Sequence, residues 1–195
     1  MNSPAPHRAL HAVEHAGALD KPAAALTRRL RGPAASTVGK LLRGRALGHP
    51  LHPIAVTVPI GAWLCAAAFD LVPGRQEEAR RLVAAGLLAA PPAIVLGLAD
   101  YADLDVRQRR VGLVHAASNA VAIALFGASY AARRRGRPVR GRLLGALGLT
   151  AAGAGGALGG HLAYAQGAGV FRWQPLDFDP AELAGSDPAA PRNPA

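Results

Sequence analysis

Imidazoles carry most of the chemistry open to this chain. His49 and His52 fall in Gly48-His49-Pro50-Leu51-His52-Pro53, directly ahead of a long apolar run. His115 precedes Asn119 by four residues, so the two share a helix face, and His161 follows a glycine-rich apolar run. Asp100, Tyr101 and Asp103 close another such run. Two facing imidazoles suit axial ligation of a haem iron, as in haem b, and His115 with His161 is the pair at matched depth; His49 and His52 are further candidates. His52, His115 and His161 with the Asp100 carboxylate would instead suit a divalent transition metal. Asn119, Tyr101 and Asp103 would support either set through hydrogen bonds. The same groups would equally form an interfacial polar network with no cofactor. No residue is assigned a catalytic role, because the chain has neither a Gly-x-Ser-x-Gly elbow nor a His-Glu-x-x-His helix. The lone Cys65 excludes an intramolecular disulfide and a cysteine-rich metal motif.

These residues need apolar elements to position them. The chain is 51% hydrophobic and 17% charged, and its 22 Lys and Arg are confined to the ends and short connectors. That pattern predicts membrane spans with basic loops. The expected fold is all-α, a four-helix transmembrane bundle with spans at about 54–72, 82–99, 111–132 and 143–164. The first would rise roughly 28 Å, close to the hydrocarbon thickness of a bilayer. Pro91-Pro92 predicts a kink in the second. In the fourth, Gly155/Gly159 and Gly156/Gly160 are small-xxx-small pairs expected to let helices approach closely. Four spans put both termini on one side, so His49, His52, His115 and His161 converge at one membrane face. His115 and His161 are expected roughly 5–6 Å inside their helix ends.

The organisation expected around this bundle (47–166) is a basic, partly helical segment over 1–46 and a disordered tail over 167–195. Leu26, Arg28, Arg29, Leu30 and Arg31, then Lys40, Leu41, Leu42, Arg43 and Arg45, describe cationic amphipathic helices suited to anionic lipid headgroups. Without aromatic interleaving or a binding motif the charge does not read as a nucleic-acid site. His7, His11 and His15 are taken as a solvated face, and Trp173 as an interfacial anchor. There is no secretory-signal pattern in the first 45 residues. Lys and Arg divide thirteen to nine between the two faces, a margin that vanishes when the distant tails are discounted, so sidedness is not assigned.

The blocks GHPLHPIAVTVPIGAW with a following FDLV, GLADYADL, RRVGLVHAASNAVAIALF and GGHLAYAQGAGV, with the lead-in ALDKPAAAL, resemble a family of bacterial four-helix membrane domains classed as a domain of unknown function. The resemblance spans about residues 18 to 170, and the family's recurring histidine motifs fall on His49, His52, His115 and His161. Members are often joined to a Rieske-type 2Fe-2S domain, which implies a membrane redox setting. This chain has no Cys-x-His and Cys-x-x-His pair, so a Rieske-type partner would be a separate protein. The expectation is a multi-pass protein of a bacterial cytoplasmic membrane that binds haem or a metal for electron transfer. The alternative is a non-redox anchor or scaffold for a partner protein; four spans without an internal repeat give no plan for a transporter.

Overall fold

The computed structural model describes residues 4–170, 172 and 173, and the tail expected from residue 167 falls, from 174 onward, outside the described residues. Among the described residues every regular element is helical. Three helices come first: α1 (Ala5–Glu14), α2 (Asp20–Ala35) and α3 (Thr37–Leu42). The bundle follows as α4 (His52–Ala55), α5 (Thr57–Asp70), α6 (Gln76–Tyr101), α7 (Val106–Arg134) and α8 (Pro138–Gly160). A π-helical turn, His161–Ala165, prolongs α8. With α4 joined to α5 and the π turn to α8, four stretches are long and apolar enough to cross a membrane.

The helices outrun the apolar segments from which they were read, for local reasons. At α7 the Asp105 carboxylate accepts from Gln108 N (2.9 Å) while the Gln108 side chain accepts from Asp105 N (3.1 Å). This capping box satisfies two of the end's orphan donors and starts the helix at Val106, in the polar Arg107–Arg110 stretch. Glu77 and Glu78 occupy the first turn of α6, where the helix dipole favours negative charge. Pro138 heads α8, at a position where its missing N–H would have had no partner. The step between α4 and α5 is also a proline effect: the Pro59 ring crowds the Ala55 carbonyl four residues back. By contrast α6 runs unbroken through Pro91 and Pro92.

Short connectors make successive spans antiparallel neighbours. α5 packs chiefly on α6 and α7 on α8, giving two hairpins that meet more sparingly along α6–α7 and α5–α8. At mid-height Trp63 of α5 stacks on Phe126 of α7, centroids 4.0 Å apart at 12°, among Ala66, Val83 and Ala90. Glycines make this possible. A Cβ on Gly86 would come 2.2 Å from Trp63 Nε1, and one on Gly148 would come 3.0 Å from the Phe126 ring. Gly155 and Gly159 likewise face α7, whereas a Cβ on Gly156 would meet nothing within 4 Å. The expectation that Gly156 belongs to the packing seam is therefore corrected: the seam is Gly155/Gly159, and Gly156 faces outward.

Beyond this core only 17% to 22% of each span's apolar window is buried. Val58, Leu64, Leu88 and Val121 are among the exposed apolar side chains; hydrocarbon is the solvent that tolerates such a surface. At the end remote from the N-terminus, Arg133 donates to both Asp70 oxygens (2.7 and 2.6 Å) and, through Nε, to Ser129 Oγ (3.2 Å). At the near end α1 packs on α7, α2 on α6 and α7, and α3 on α6, so the basic N-terminal segment covers the bundle's terminus. Gly44, at φ +88°, turns the chain from α3 toward Gly48–Pro53; a Cβ there would lie 1.7 Å from His49 O.

Candidate histidine site

His52 is the first residue of α4, and its Nδ1 lies 2.9 Å from Ala93 O of α6. His115 is in α7, with Nδ1 2.7 Å from Gly155 O of α8. A carbonyl oxygen only accepts, so Nδ1 of each ring carries the hydrogen and Nε2 holds the lone pair. Each imidazole is thus tied to the other helix of its own hairpin. The two rings meet across the boundary between hairpins, edge to face, with centroids 6.2 Å apart at 86°. Room for them comes from glycine: a Cβ on Gly97 would sit 2.8 Å from His52 Cε1, and one on Gly159 3.0 Å from His115 Cε1. Asn119 Nδ2 lies 3.4 and 3.2 Å from the two ring nitrogens of His115, so its amide rests against the ring. The hydrogen bond between α7 and α8 at this level is made by His115.

His161 belongs to a different network. It opens the π turn, in which Gln166 N donates to His161 O at 3.0 Å. Glu14 Oε1 lies 2.5 Å from His161 Nε2, and Glu14 also accepts from Arg107 (2.5 Å) and Gln166 Nε2 (2.8 Å). Those bonds, Arg107's first and His161's second, hold the Glu14 carboxyl at about 2 against the opposing effect of burial. An ionised carboxylate only accepts, so His161 Nε2 donates and is not free to ligate. His115 also lies further inside its helix than the roughly 5–6 Å expected. α7 begins at Val106, putting His115 roughly 13 Å along its helix, while His161 is one turn from the end of its span.

Asp100 pairs with Arg172, and Asp103 with Arg43. The Tyr101 hydroxyl donates to Arg109 O at 3.1 Å, stitching the end of α6 to the start of α7. His49 is exposed in the turn before α4. The metal set of His52, His115, His161 and Asp100 is therefore not assembled, and among the described residues no three His, Cys, Asp or Glu side chains form a group that could hold a metal ion. His11 and His15 stack at 4.1 Å on the outside.

Sequence reasoning missed Glu14 and Asp20, although a signal exists: they are the sole acidic residues before Asp70 in a strongly basic stretch. Both bind α7. Asp20 takes two bonds from Arg110, 2.6 and 2.8 Å, and that partner lowers its carboxyl below the ordinary value. Trp173, expected at the lipid interface, donates to Arg43 O at 3.0 Å.

Fold and site together define a polytopic helical membrane protein with a capped, histidine-bearing end. Within that class the chain belongs to the DUF2231 family, described as predicted membrane proteins, whose model matches residues 48–172. Comparison with curated proteins and with solved structures gives no match.

Proposed function

We propose that this protein is a membrane electron-transfer component in which Nε2 of His52 and Nε2 of His115 ligate one transition-metal ion, carried by haem b or bound directly. The observation carrying this reading is that both rings give their Nδ1–H to a backbone carbonyl, Ala93 O and Gly155 O. Metal-bound histidines are oriented in this way, with the proton fixed on the nitrogen remote from the metal. If such a group is bound, Nε2 of His52 and Nε2 of His115 would be the atoms that hold it, in rings whose centroids lie 6.2 Å apart. Ionisable groups inside a span mark functional sites more often than not.

The metal would supply one-electron transfer. The chain's own contribution would be to hold the tautomers, to bring the two rings together at the hairpin boundary, and to keep them among apolar helices. The boundary is also where a flat macrocycle would enter with least loss of packing, since the hairpins are joined less extensively to one another than within themselves. A redox centre of the Rieske type implied by the resemblance is the partner class that suits this reading, and a bacterial cytoplasmic membrane its setting.

The test is the visible spectrum of the protein in mild detergent, oxidised and dithionite-reduced, with metal analysis of the same sample. Reducible α/β bands below a Soret band identify haem; stoichiometric metal without them identifies a directly bound ion. His52→Ala and His115→Ala should each abolish retention, while His161→Ala should retain the metal. A well-folded protein that holds neither haem nor metal after supplementation with both overturns the proposal.

A further inference from the structure

Away from the histidines, a groove of about 640 Å³ opens between the α2–α3 elbow and the turn joining α6 to α7. Arg31, Lys40, Arg43 and Arg109 line it against one carboxylate, Asp103, which is already paired with Arg43. Arg43 is 7% exposed, and the Nε atoms of Arg43 and Arg109 are buried without a hydrogen-bond partner among the described residues. Buried guanidinium donors left unmatched are costly unless something accepts from them. Guanidinium forks and an ammonium around one cavity suit a phosphate, which Arg contacts bidentately and Lys as a point charge.

The position selects the source of the phosphate. Arg109 is in the first turn of a membrane-crossing helix, the level at which headgroups lie. On the same α3 as Lys40, Val38 and Leu41 are 64% and 49% exposed, an apolar edge suited to acyl chains. We infer that this groove binds the phosphate of an anionic lipid headgroup, with Arg31, Lys40 and Arg109 as its contacts and the apolar edge of α3 against the lipid's chains. This goes beyond general attraction of a basic segment to a charged surface, since it assigns a single bounded site, and it is independent of the histidine reading.

The full chain is reconstituted in vesicles of phosphatidylcholine and phosphatidylglycerol, extracted in mild detergent, and assayed for retained lipid. Each cation removed should lower phosphatidylglycerol retention about fivefold, so Arg31→Gln with Lys40→Gln should lower it roughly twenty-five-fold, and Arg109→Gln about fivefold. Arg134→Gln with Arg135→Gln, an equal loss of charge at the other end of the bundle, should leave it unchanged. Equal losses in both double variants would overturn the site in favour of diffuse attraction. Absence of phosphatidylglycerol enrichment in the unaltered chain would also overturn it. Displacement of retained lipid by excess inorganic phosphate would reassign the groove to a soluble anion and sink the lipid proposal.

Discussion

The half-buried histidines of this protein differ in what fixes their protons. A backbone carbonyl holds a hydrogen on Nδ1 of His52 and of His115; a carboxylate holds one on Nε2 of His161. The first arrangement leaves Nε2 unprotonated, and the second uses Nε2 in a structural bond. Glu14 is the centre of the structural kind, and its titration is a direct probe. Its folded value of about 2 lies below the ordinary 4.5, so its contribution is complete above the ordinary value and is lost as pH falls toward the folded one. Docking of α1 should weaken as pH falls below about 4.5, read as faster amide hydrogen exchange in α1. Glu14→Gln should show that faster exchange already at neutral pH. At the opposite end, Asp70→Asn strands Arg133, whose side chain is 3% exposed. An uncompensated buried charge of this kind costs about 3–5 kcal/mol, which thermal unfolding in detergent would register.

Among the helices, close approach is governed by which glycines face a neighbour. Leucine at Gly155 must displace Asn119, whose Oδ1 is 2.5 Å from the position a Cβ would take, and leucine at Gly159 must displace the His115 ring, 3.0 Å away. Overpacking of this type costs about 1–3 kcal/mol, so Gly155→Leu and Gly159→Leu should lower the unfolding temperature in detergent. Gly156→Leu, which meets nothing, should leave it unchanged or raise it slightly through improved helix propensity. The glycine repeat was visible in the sequence, but its facing was not. Gly155/Gly159 and Gly156/Gly160 have identical spacing, and only the partner helix distinguishes them. Helix number and order were legible because apolar runs of membrane length are unmistakable. The helix starts were less so, because capping at Asp105 extends α7 into a polar stretch that hydropathy alone assigns to a connector.

At the scale of the molecule, the convergence of the histidine-bearing segments on one end followed from the parity of the spans. Their partition into two sites did not follow, because the deciding partners are distant or anonymous. Ala93 O and Gly155 O are backbone atoms with no side-chain signature, and Glu14 lies 147 residues before His161. The same long separations govern the protein's order of assembly. Glu14 and Asp20 leave the ribosome before their partners, since Arg107 and Arg110 follow them by 93 and 90 residues. At roughly 5–20 residues per second, the wait for His161 is about 7–30 s. Until α6 and the start of α7 emerge, α1 and α2 have no bundle end to cover. A bilayer surface, where cationic amphipathic helices rest, would shelter the segment until its partners emerge.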